Sequence, residues 1–197
     1  MTKKRYFIDA EFNEKPCTIE LISIAVVDQD GHKCYAVSSE YDYSKTTHWV
    51  REHVIQPIYN QYLQQCSTDV RFQTDEFALE PIETFHKTYG KTRSDIGKEV
   101  LVFVRETSTK DDSIEFWGYY SSYDWVVFCW LFGRMIDLPE GFPMFCRDIK
   151  QTMTMLGLEP GENGLPEPIE THNCLDDALW NLATFEAISK AYVFLDK

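Results

Sequence analysis

The run Thr18–Asp28, "TIELISIAVVD", constrains the fold more than any other segment of the chain. β-Branched residues dominate it and its second half is apolar at successive positions, so it reads as a strand buried on both faces. Before it, "RYFIDAEF" contributes a short apolar strand over residues 6–11. After it, "DQDGH", centred on Asp30 and Gly31, signals a tight turn into a third strand, "KCYAVSS". Three strands with short connections make a meander.

From Asp42 onward the chain turns helical. "WVREHVIQPIYNQYL" places Trp49, His53, Ile58 and Tyr62 near helical spacing and predicts a helix that kinks or restarts at Pro57. Residues 67–91 show no clear period. "SDIGKEVLVFVRET" carries the stripe Ile96, Val100, Leu101 and Val104, with Ser94 as N-cap. "SIEFWGYY" reads as a fourth strand, "YDWVVFCWLFGRM" as a largely buried helix, and "FPMFCRDI" as a fifth strand. "IKQTMTMLG" is a helix closed by Gly157, residues 158–171 are a proline-rich loop, and a last helix runs from near Asn173 toward Val193.

With 197 residues, 44% of them hydrophobic, the chain suits one buried core, and a single domain over 1–197 is expected. No apolar run reaches membrane-spanning length, and "MTKKRYFIDAEF" lacks the form of a signal peptide. The six cysteines include no CxxC pair and several lie in apolar runs, which points to reduced thiols and a cytoplasmic protein. A net charge of −13 opposes wrapping of duplex nucleic acid through many phosphate contacts. Any nucleic acid should therefore be engaged locally, at a cleft whose charge bound cations reverse.

Five side chains carry the chemistry. Asp9 and Glu11 are two positions apart in a strand and share a face, where they repel each other unless a cation lies between them. Asp124 opens an apolar helix after the fourth strand; alone it reads as a dipole-complementing acid, yet it also sits at the strand–helix mouth where α/β sheets present functional groups. His172 stands just before the last helix and Asp177 lies one turn into it. Asp176 points about 100° away from Asp177 around that helix. Four carboxylates and one imidazole at the edges of apolar segments suit a nuclease that binds two divalent cations and takes a proton from water.

Taken in order, Asp-x-Glu, then a distant Asp opening an apolar helix, then His-x₄-Asp near the C-terminus, the set resembles the DEDDh 3′–5′ exonucleases, which include RNase T, oligoribonuclease and the proofreading subunits of DNA polymerases. "YFIDAEFNE" followed by "TIELISIAVV" and a hairpin is most similar to the small bacterial exoribonucleases of mycobacterial type. The resemblance implies an α/β ribonuclease H-like fold, with a five-stranded mixed sheet flanked by helices and the second strand antiparallel to the first. It implies that Asp9, Glu11 and Asp177 hold one metal, that Asp9 bridges to a second, that Asp124 helps hold the second, and that His172 is the general base. An all-oxygen set suits Mg²⁺ or Mn²⁺, two per site, better than zinc.

Three positions depart from the family pattern. No Asn precedes Asp124, where Tyr120 and its neighbours stand; Cys174 replaces the usual Ala and exposes the site to oxidation; Phe12 and Asn13 replace Thr/Ser-Gly. Phe12, Tyr123 and Trp125 are candidates to stack a terminal base, although Trp125 also fits a core position. Lys3, Lys4, Arg5, Arg147 and Lys150 are candidates for phosphate contacts. The function expected is hydrolysis of single-stranded RNA 3′ ends to nucleoside 5′-monophosphates. The alternatives are a 3′–5′ DNA exonuclease and a catalytically silent nucleic-acid-binding member, with homodimerisation through the aromatic-rich region 59–85 as a further possibility.

Overall fold

The computed structural model describes residues 2–68, 79–168 and 172–192. Strands β1 (Lys3–Lys15), β2 (Thr18–Asp28), β3 (Lys33–Val37), β4 (Ser113–Gly118) and β5 (Arg147–Asp148) form one sheet in the order β3-β2-β1-β4-β5. β2 is antiparallel to both neighbours, while β4 runs parallel to β1 and β5 parallel to β4. This is the mixed sheet that the family resemblance implies.

Pairing, more than apolar content, sets the strand lengths. β1 extends beyond the expected residues 6–11 because Lys3–Phe7 lie against β4 while Phe12–Lys15 continue along β2 past a bulge at Glu11/Phe12. The fifth strand is far shorter than "FPMFCRDI" suggests. Only Arg147 and Asp148 find partners, on Trp117 and Gly118, while Pro143 has no N–H to give a ladder and Met144 and Phe145 stand exposed.

Helices cover both faces of the sheet. α4 (Arg93–Thr107) and α5 (Ser122–Trp130) pack on the face formed by Tyr6, Ile8, Ala10, Ile24, Val26 and Phe116. α6 (Ile149–Leu156) and α7 (Cys174–Ala191) pack on the face of Phe7, Ala25, Val27 and Trp117. β2 therefore lies between two apolar layers, which is why its second half is apolar at successive positions. Because side chains alternate along β1, Asp9 and Glu11 fall on the α7 face and Ala10 on the α5 face.

Several local expectations are corrected. The N-cap of α4 is Thr92, whose hydroxyl accepts from Asp95 N at 3.2 Å; Ser94 lies inside the first turn. The irregularity expected at Pro57 is a change of helix type completed one residue before it. α1 (His48–Val50) runs through a widened π turn over Arg51–Ile55 into α2 (Gln56–Thr68). The bond from Gln56 N to Arg51 O reaches back five positions and absorbs the register change ahead of a proline that cannot donate. α7 is capped by Asn173, as expected, and its described part ends at Tyr192; Val193 falls outside the described residues.

The aromatic region expected to offer an interface packs inward instead. Tyr62 and Phe85 are buried and Tyr59 lies 5.1 Å from Phe85, all within a cluster against Ile22 and Val37; α3 (Phe85–Tyr89) supplies part of it. Residues 69–78 of that region lie outside the described part. All six cysteines are free, with Cys66, Cys129 and Cys174 buried and Cys17 exposed.

Candidate active site

Three elements bring four acids together. Asp9 and Glu11 come from β1, opposite Ala25 and Ser23 of β2. Asp177 comes from the first turn of α7, and one oxygen from each of Asp9, Glu11 and Asp177 lies within 4.8 Å of the other two. Asp124, in the first turn of α5, is buried and its Oδ1 accepts from Ala10 N at 2.9 Å, which fixes it against β1 at the residue between Asp9 and Glu11.

Burial is the largest influence on all four. It drives Asp9 well above the usual carboxylate range, and repulsion from Asp124, Asp177 and Glu11 adds to it. Burial, with repulsion from Asp177 and Asp124, lifts Glu11 to about 7. Asp124 is raised to about 7 by burial despite the Ala10 amide, which acts the other way. Asp177 rises to about 6, again through burial, with His172 pulling it down. The groups acting on Asp9 and Glu11 are burial and other acids, so the apparent charge of this pocket wants a cation.

His172 is exposed and precedes Asn173, which caps α7 through a bond to Leu175 N at 3.0 Å. Its backbone lies in the left-handed region, φ 43°, so the chain turns sharply where the imidazole is presented to Asp177. Two residues absent from the sequence-based site flank it. The Trp49 ring meets the His172 ring edge-on at 4.8 Å, and His53 stacks on Trp49 at 4.8 Å. Both share the near-helical spacing of Ile58 and Tyr62 in the sequence, but only the latter two are buried; Trp49 is 50% exposed. Their i, i+4 spacing marks one helix face, yet which face meets the site depends on the π turn.

Asp148 is the other residue that sequence reading missed. It caps α6, accepts from Ser121 N at 3.2 Å, and adds to the repulsion on Asp124. Only its place at the end of β5 brings it there, and that strand is two residues long.

Of the aromatic candidates, Phe12 and Tyr123 pair edge-on at 5.9 Å, and Tyr123 is 48% exposed. Trp125 is not available for stacking a base: it is buried and lies parallel to Phe128 at 4.9 Å in the core. The five basic candidates also point elsewhere. Lys4 pairs with Asp28 and Asp30; Lys3, Arg5 and Arg147 converge on Glu115; Lys150 pairs with Glu159. Cys174 donates to Ser23 Oγ at 3.3 Å, and complete burial pushes its thiol well above the ordinary range. Burial and a raised thiol both work against the sensitivity to oxidation that the sequence suggests.

Residues 4–189 match the model of the Rv2179c-like 3′–5′ exoribonuclease domain. The chain is 34% identical over 185 residues to the 3′–5′ exoribonuclease Rv2179c of Mycobacterium tuberculosis H37Rv, covering 94% of this chain and 93% of that protein. The counterpart from strain CDC 1551, 3′–5′ exoribonuclease MT2234.1, matches with the same identity and coverage. Among solved structures, Mg²⁺- and Mn²⁺-bound Pop2p of S. pombe superposes with a TM-score of 0.54 at 14% identity, covering 96% of this chain and 84% of that one, a likeness of fold. The chain belongs to the Rv2179c-like 3′–5′ exoribonuclease domain family.

Proposed function

We propose that this chain is a Mg²⁺- or Mn²⁺-dependent exonuclease that shortens single-stranded RNA from its 3′ end, releasing nucleoside 5′-monophosphates. The observation that carries this reading is the approach of Asp9, Glu11 and Asp177 to within 4.8 Å of one another, with Asp124 pinned beside them. The donor set is carboxylate oxygen throughout, which suits hard divalent ions and not zinc. Asp9, Glu11 and Asp177 would hold one ion, and Asp9 with Asp124 a second. Bound there, two ions supply Lewis acidity that activates water and stabilises charge on the phosphoryl group and the leaving 3′-oxygen.

His172 accepts the proton of the attacking water, its exposed position at the mouth giving it access to solvent. The water oxygen bonds to phosphorus as the P–O3′ bond breaks, so the phosphate leaves on the released nucleotide and the shortened chain keeps a 3′-hydroxyl. Phe12 and Tyr123, an edge-on pair beside Asp124, offer a stacking surface for a terminal base in a single strand. No described helix is long and apolar enough to cross a membrane, and six free cysteines fit a reducing compartment, which supports the cytoplasm as its place of action.

The test is degradation of matched, 5′-labelled RNA and DNA oligomers with added Mn²⁺. The expected result is stepwise shortening of RNA from the 3′ end that Asp9→Ala and His172→Ala each suppress. Equal or faster shortening of DNA would assign the enzyme to DNA, and full activity in both variants would remove the nuclease reading.

A further inference from the structure

The backbone of β1 is left open where the candidate site begins. The Arg5 carbonyl accepts from Gln29 N, just past the end of β2, and Arg5 N donates to Gln29 Oε1, so odd-numbered residues in this part of β1 direct their backbone groups toward β2 and even-numbered ones toward β4. Pairing with β4 stops at Phe7–Trp117. There β4 ends: a Cβ on Gly118 would stand 2.6 Å from Ser121 Cβ and 3.1 Å from Ile8 O, so only glycine allows the turn beside that carbonyl.

Beyond that point, two side chains occupy the open edge. Ala10 N–H donates to Asp124 of α5 at 2.9 Å, and the Ile8 carbonyl accepts from Asn181 Nδ2 of α7 at 3.1 Å. Each bond thus ties to β1 one of the two helices that carry acids of the site. Asn181 is 1% exposed and lies four residues after Asp177, on the same side of α7. Its amide oxygen is buried without a partner among the described residues, an unfavourable arrangement for an amide unless its donor has work to do. Thr184, also fully buried on α7 with an unpartnered hydroxyl, makes no such bond to β1 among the described residues.

We propose that Asn181 is a positioning residue for the metal centre: its amide replaces the missing strand contact on Ile8 and so holds α7 where Asp177 meets Asp9 and Glu11. This rests on the reading of those three acids as metal ligands. Removing the bond leaves the acids in place along the chain but frees α7 to slide against β1, and the affinity for a divalent ion falls with the loss of convergence.

Calorimetric titration of Mn²⁺ into the whole chain tests it, with folding of each variant checked by circular dichroism. Asn181→Leu, branched in the same way and without a donor, is expected to weaken Mn²⁺ binding roughly tenfold or more. Thr184→Val, buried on the same helix, is expected to stay within about twofold of the parent. Asn181→Ser, whose shorter side chain does not reach Ile8 O, provides the same reading if the leucine variant fails to fold. Parent-like affinity in a folded Asn181 variant, or equal weakening by Thr184→Val, overturns the proposal. Asp9→Asn, run alongside, reports on the metal site itself: if it binds Mn²⁺ as the parent does, the metal reading fails independently of Asn181 and takes this inference with it.

Discussion

The start and the middle of β1 both gather buried acids, and they treat them in opposite ways. At the start of the strand Asp28 is fully buried, yet it accepts from Lys4, from His32 and from the backbone amides of Asp30 and His32. Burial pushes its carboxyl up, but these donors outweigh that and hold it below its usual value. Nearby Glu115 is met by Lys3, Arg5, Arg147 and the Trp117 indole. Five residues farther along, about 16 Å in an extended strand, Asp9 is driven well upward by burial and by repulsion from Asp124, Asp177 and Glu11. Buried acids whose partners are built into the chain are structural; buried acids left to repel one another are a binding site in want of cations. Asp28, Asp30 and His32 also lie close enough together to suit a metal, but Lys4 already occupies the place a cation would take.

The largest effect that sharpens this contrast is on Asp9. Asp9→Asn should lower Mn²⁺-dependent hydrolysis by roughly 10³-fold and abolish the rise in melting temperature that Mn²⁺ gives the parent, while raising the melting temperature of the metal-free protein by relieving repulsion. Asp28→Asn should do the reverse. It strands Lys4 without its most buried partner and should cost about 3 kcal/mol in urea unfolding, with hydrolysis per folded molecule unchanged. If Asp28→Asn leaves stability alone, or Asp9→Asn destabilises the metal-free chain, the contrast breaks.

A smaller effect comes from pH. Glu11 and Asp124 are held near 7 and Asp177 near 6, against ordinary values of 4.5 for Glu and 3.8 for Asp. Between those limits the folded chain binds protons that the unfolded chain has released, so stability without metal falls as pH rises from about 5 to 8. Asp28, lowered in the folded state, works with the opposite sign and below that window, losing its contribution as pH falls under about 4. Thermal melts from pH 5 to 8 should show the decline, and saturating Mn²⁺ should flatten it by replacing protons. A rise with pH in the metal-free protein would contradict the electrostatics of the site.

The sequence disclosed the acids better than it disclosed their surroundings, and the reason is the range of the interactions. Asp9 and Glu11 share a face by local period alone, and Asn173 caps α7 by a contact two residues long. The bond from Ala10 to Asp124 spans 114 residues and that from Asn181 to Ile8 spans 173, and nothing in local spacing encodes either. The basic residues near the N-terminus looked available for phosphate because their partners, Glu115 above all, are brought in by the β1–β4 pairing. Trp49 and His53 were hidden by a π turn that rotates one part of a helix relative to the next. β5 is shorter than its apolar content suggests because only Arg147 and Asp148 have a partner strand.

Crystals soaked in Mn²⁺, with anomalous scattering collected at the manganese edge, test most directly the claim that unpaired buried acids mark the site. The expected result is manganese bound by Asp9, Glu11 and Asp177, with none at the Asp28–Asp30–His32 end. Manganese beside Asp28, or no manganese among the acids of β1 and α7, would contradict it.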